Sequence, residues 1–99
     1  MKVLLTKLAA EDLERHWDFM LEAYDENYAQ RTLDLLDDGM RFLAKHPGAG
    51  QFEILLDHLG KGHRRWVVGN YKLIYLVVED RIVITDIFDA RQHPGKMRG

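Results

Sequence analysis

The sequence predicts one α+β domain of order β-α-α-β-β-β, in which a helical hairpin packs on one face of a small, mainly antiparallel sheet. Three observations carry that reading. Apolar residues recur every three or four positions from about Leu8 to Lys45. After Gly50 that period gives way to short runs rich in β-branched and aromatic residues. Two-residue turn candidates, Gly69-Asn70 and Glu79-Asp80, separate the last three runs and so predict a meander. A chain of 99 residues supports one core, so residues 1–99 are expected to form a single domain.

Element by element, "KVLLT" at residues 2–6 reads as a first strand, with Thr6 suited to cap the helix that follows. The first helix presents Leu13, Trp17, Met20, Leu21, Tyr24 and Tyr28 at helical spacing. Its carboxylates, Glu11, Asp12, Glu14, Asp18, Glu22 and Asp25, read as an outer solubilising face. A second helix, from about Glu26 to Lys45, buries Leu33, Leu36, Met40 and Leu43, with the break between helices expected near Asp25 to Asn27. It ends at "KHPGAG", where Lys45 and His46 suit the negative helix end and Pro47 and Gly48 cannot continue it. Gly39 inside this helix costs roughly 1 kcal/mol relative to Ala, and close packing is the expected compensation.

"QFEILLDHL", residues 51–59, fits either a strand or a helical turn, and "LGKGH" is a loop by its glycines. "RWVV", "YKLIYLVV" and "RIVITDIF" then read as strands. In the middle one, Tyr71, Leu73, Tyr75 and Val77 point one way and Ile74, Leu76 and Val78 the other. The helical hairpin covers one of these apolar faces. The other is expected to lie open for a partner, or for a second copy of the chain.

Composition narrows the function classes. The chain has no cysteine, which removes disulfides, thiolate zinc sites and a cysteine nucleophile and fits a cytoplasmic protein. No apolar run approaches the ~18 residues needed to span a membrane, and Met1 to Leu8 lack the pattern of a signal peptide. Formal net charge is −2, but residues 1–50 carry six Lys/Arg against ten Asp/Glu, whereas residues 51–99 carry eight against six. An anionic partner is therefore expected to meet the second half, although the whole chain is too acidic for a dedicated nucleic-acid binder. His58, His63 and Asp57 make a poor metal set, and no cofactor or metal is expected.

The closing "FDARQHP", the "HPGAG" break, the Tyr-x-x-x-Tyr of Tyr71 and Tyr75, and Ala9, Asp12 and Leu13 in "AAEDLERHWDFM" together resemble the RelE/ParE superfamily, whose members are often labelled plasmid stabilisation proteins. The resemblance covers nearly the whole chain. It implies a bacterial toxin of a type II toxin–antitoxin module, silenced by a cognate antitoxin. Two branches share the fold: RelE-like members are ribosome-dependent mRNA endoribonucleases, and ParE-like members poison DNA gyrase by binding. A non-toxic, binding-only member is a third reading.

A RelE-like site would draw on basic residues and a proton carrier, for which Lys72, Arg91 and His93 are the candidates. No tyrosine follows Tyr75, which leaves the C-terminal tyrosine position of such sites to His93 or to nothing. That gap and the overall acidity favour the ParE-like branch. Contact with the target or the antitoxin would then fall to Arg64, Arg65, Trp66, Tyr71, Tyr75 and Arg91. Each has a structural alternative. Arg64 and Arg65 can be solvated on opposite faces of a strand, Trp66, Tyr71 and Tyr75 can be packing aromatics, and Arg91 can pair with Asp86 or Asp89.

Overall fold

The computed structural model describes all of residues 1–99. Strand β1 (Lys2–Leu5) leads into helices α1 (Lys7–Ala23) and α2 (Glu26–Lys45), followed by β2 (Gln51–Phe52), β3 (Arg64–Val68), β4 (Tyr71–Val78) and β5 (Arg81–Asp89). Short 3₁₀ segments occupy Ile54–Leu59 and Pro94–Lys96. The sheet order is β1-β5-β4-β3-β2, antiparallel except that β1 runs parallel to β5. The ambiguous stretch 51–59 thus contains both alternatives: a two-residue edge strand, then a 3₁₀ segment.

Local chemistry sets the helix limits. Thr6 Oγ1 accepts the Ala9 N–H at 3.1 Å, and an Asp25 carboxylate oxygen accepts the Tyr28 N–H at 2.8 Å, so a capping residue starts each helix. Asp25 therefore marks the break between them. Gly39 faces the sheet rather than the other helix. A Cβ there would stand 3.0 Å from Val68 Cγ2 and 3.3 Å from Leu73 Cδ1, so the missing side chain lets α2 lie close on β3 and β4.

The main core lies between the helices and the sheet and contains Leu36, Leu43, Tyr71, Leu73, Tyr75, Ile82, Ile84 and Ile87. The alternation expected in β4 holds, but β5 carries a bulge: Ile74 pairs with Asp86 while Tyr75 pairs with Ile84. The extra residue, Thr85, returns Ile87 to the same face as Ile82 and Ile84.

Two expectations need correction. The second sheet face is not simply open. Leu56 from the first 3₁₀ segment and Met97 from the C-terminal tail close over Ile74 and Phe88 in a separate small core. Val67, Ile54 and Leu55 remain exposed beside it. The carboxylates of α1 are not uniformly external either, because Asp12 is buried together with Ala9, His16 and Met20, while Leu21 and Tyr24 are exposed. The buried stripe runs through 9, 12, 16 and 20, which apolar periodicity alone does not select.

Candidate functional site

The reason for that polar stripe is found at the edge of β5. Strand β1 pairs only with Arg81 to Ile84, so beyond Ile84 the outer edge of β5 has no strand beside it. Buried backbone groups there still need partners. Helix α1 supplies them: Asp12 Oδ2 accepts the Ile87 N–H at 3.1 Å, and His16 Nε2 lies 2.6 Å from the Ile87 carbonyl. Since a carbonyl only accepts, His16 Nε2 carries a proton and donates in this contact, and in the neutral ring Nδ1 is the acceptor. The His16 ring also meets Tyr71 edge-on, with centroids 4.9 Å apart.

This corner continues into the C-terminal segment. Asp89 takes Arg91 Nε at 2.9 Å on one oxygen and Arg91 Nη2 at 2.8 Å on the other, a two-point ion pair. These hydrogen bonds, opposed by partial burial, hold the Asp89 carboxyl below its usual range and raise Arg91 further above its own. Burial, reinforced by the Asp89 charge, raises the Tyr71 phenol and keeps it neutral. Further along, Asp86 accepts the Thr85 hydroxyl and the backbone N–H groups of Arg98 and Gly99, at 2.7–2.8 Å. Arg98 Nη2 reaches back to Asp12 at 2.9 Å. Two buried carboxylates thus pin the tail, and Met97 fills the space beneath it.

The residues singled out from the sequence fall into separate places. Arg91 stands at the α1 side of the sheet with Asp89, which is paired in register with Tyr71. Lys72 projects from the opposite face with Phe88, and its Nζ lies 3.6 Å from the buried Glu53 carboxylate. Arg65 shares Glu53, at 3.3 Å, and also donates to Gln51 and to the Phe52 carbonyl. His93 caps the second 3₁₀ segment, its Nδ1 accepting the Gly95 N–H at 2.9 Å. Lys72, Arg91 and His93 therefore do not converge on one reacting centre.

Arg64 and Arg65 do lie on opposite faces. Arg64 donates to the Gly50 carbonyl at 2.7 Å and sits over the Phe52 ring. Trp66 stacks on Phe42 of α2, with centroids 4.9 Å apart, and packs against the main core. Tyr75 is fully buried. Its hydroxyl donates to the Pro47 carbonyl and accepts the Gly50 N–H, which fastens the "HPGAG" loop to the sheet. A Cβ on Gly50 would meet Tyr75 and the Arg65 carbonyl at 2.6 Å, so glycine is required there. Tyr71 is also buried. Neither tyrosine offers surface to a partner in this conformation. No group of three or more His, Asp or Glu side chains is arranged to hold a metal ion.

Sequence reasoning gave no role to His16 or Glu53, read Asp12 as part of an outer face, and offered Asp86 only as a partner for Arg91. One signal was present: Asp12 and His16 are four apart on the helix and align with Ala9 and Met20, a mixed stripe that a polar-edge partner explains.

A helical pair on a five-stranded, mostly antiparallel sheet, with a docked tail, is the architecture that the RelE/ParE resemblance implies. The sequence profile described as the ParE toxin of the type II toxin–antitoxin system, parDE, matches residues 3–94, and the chain belongs to that family. Among solved structures, a chromosomal ParDE TA system from P. aeruginosa superimposes with a TM-score of 0.76, covering 92% of this chain and 97% of that one at 19% identity. At that identity the match bears on the fold. A search of curated proteins yields no match.

Proposed function

We propose that this chain is a toxin that acts by docking on DNA gyrase, and that it is neutralised by an antitoxin encoded beside it, both in the cytoplasm. One observation supports the choice of a binding mode over mRNA cleavage: the basic groups a nuclease would need stand apart on different parts of the sheet. Lys72 faces Glu53 on one side of the sheet, Arg91 is clamped by Asp89 on the other, and His93 is spent on a cap. Cleavage of a ribose-phosphate linkage requires a base and cationic groups within hydrogen-bond reach of the same few atoms. A docking protein requires only a rigid, charged and apolar surface, and the exposed Phe52, Ile54, Leu55 and Val67 supply the apolar part. No helix of the structure is long and apolar enough to cross a membrane.

A supercoiling assay tests this reading. Purified protein added to gyrase and relaxed plasmid is expected to reduce supercoiling and trap cleaved DNA, with relief by the neighbouring antitoxin. Folded protein that leaves gyrase untouched, yet cuts mRNA on ribosomes, would overturn it.

A further inference from the structure

Between α1 and the end of β5 lies an open cavity of about 420 Å³, lined by Arg15, His16, Phe19, Asp89, Arg91 and Gln92. A neighbouring cavity shares Arg15 and Gln92 with it and continues past Asp12, Asp86, Lys96 and Arg98. Four cations here meet three carboxylates, leaving one excess positive charge on a chain whose formal net charge is −2. We propose that the cavity anchors a carboxylate side chain carried on an extended segment of the antitoxin, with an apolar neighbour of that residue lying on Phe19. The proposal rests on the reading that an antitoxin binds this chain and adds where and by what chemistry it is held.

Arg91 is prepared for such a ligand. Asp89 engages Nε and Nη2, which fixes the guanidinium plane, and the side chain, with Tyr24 also beside it, stays about half exposed. A pre-oriented fork loses little freedom when it binds a second carboxylate. Across the cavity Arg15 is held by Asp12 at 2.6 Å through Nη2, while its side chain is 60% exposed. Phe19 is 50% exposed and lines the same cavity, an apolar floor beside two cations. His16, in its neutral form, favours one kind of anion. Its Nε2 is committed to the Ile87 carbonyl, so Nδ1 can accept an N–H from the ligand. A peptide brings a carboxylate and a backbone N–H together, whereas the sugar-phosphate backbone of DNA brings acceptors alone. An excess of one charge also matches a monoanion.

The test is calorimetric titration of the full chain with the antitoxin encoded beside its gene. Arg15→Gln, Phe19→Ala and Arg91→Ala are each expected to weaken binding roughly tenfold or more, with the arginine effects shrinking at high salt. Arg41→Ala, on the far helix and paired only with Asp37, should bind like the parent. Because Arg91→Ala leaves Asp89 without its cation, Arg15→Gln and Phe19→Ala decide the matter if that variant fails to fold. Parent-like affinity in both would overturn the site while leaving the antitoxin reading intact. No binding by the parent chain would remove both. Displacement of the antitoxin by inorganic phosphate or duplex DNA, with Gln92 and Arg91 resonances shifting, would overturn the peptide assignment in favour of a phosphate site.

Discussion

The two faces of the sheet are held by different physics. On the helix side, Leu36, Leu43, Leu73, Ile82 and Ile84 are fully buried against one another, and the stabilisation scales with apolar area removed from water. On the other face, and around the β5 edge, the apolar cluster is only Leu56, Ile74, Phe88 and Met97. There the structure depends on buried carboxylates: Glu53 between Arg65 and Lys72, Asp86 under the tail, and Asp12 against Ile87 and Arg98. Nonpolar packing is little affected by pH or by charge screening. Charged anchoring is not, and it can be exchanged for contacts with a partner. The difference places rigidity on the helix side and makes the corner the suited place for the proposed antitoxin contact.

The comparison can be broken by substitution, starting with the largest effect. Leu36→Ala should cost about 3 kcal/mol in chemical unfolding, by lost transfer energy plus a cavity. That loss should be nearly the same at low and high salt. Asp12→Ala should cost about 2 kcal/mol, because the Ile87 N–H and Arg98 lose their acceptor. If the account is right, its signature differs: hydrogen exchange should speed at Ile87 and in residues 97–99 while α2 stays protected. Uniform loosening would mean that the corner and the core are one unit.

The acid limb supplies a smaller test. Asp89 has a folded-state value lowered chiefly by the Arg91 hydrogen bonds, so its contribution is fully present above the ordinary value of 3.8. It is lost as pH falls below that value through the folded one. Arg91→Met should flatten the decline of stability in that window and leave neutral-pH behaviour on the helix side unchanged. Arg91 is about half exposed, so solvent screening keeps this effect modest. The smallest effect belongs to the β4–β5 turn. Glu79 is the only non-glycine residue at positive φ, 57°, and Glu79→Asn should stabilise by about 0.5 kcal/mol in thermal melts.

How much of this was legible in the sequence follows the same division. Both helices, the three long strands, the cap Thr6 and the helix break near Asp25 could be read, because period, turn residues and capping are local. The two-residue turns were also marked, and Gly69 takes the positive φ, 57°, that its position needs. The corner was not legible. That α1 turns Asp12 and His16 inward depends on where β1 stops, and that β5 shifts register depends on a bulge at Thr85. The first has only the mixed stripe of Asp12 and His16 beside Ala9 and Met20 as its sign, and the second has none in the residues that bear it. The pairing of Arg91 with Asp89 lay within the sequence's reach, since both stand in "FDARQ" two residues apart. The inference that failed for want of tertiary information was the bare second face. Met97 and Leu56, distant in sequence, meet there only once the tail is pinned by Asp86.

The central claim is that the basic residues serve architecture and docking rather than cleavage. The most direct measurement is gyrase inhibition by the Lys72→Gln/His93→Ala double variant, compared with the parent chain at matched, verified folding. The account predicts equal loss of supercoiling and equal trapping of cleaved DNA. Parent protein that instead cleaves ribosome-bound mRNA, with that activity abolished in the double variant, would contradict it.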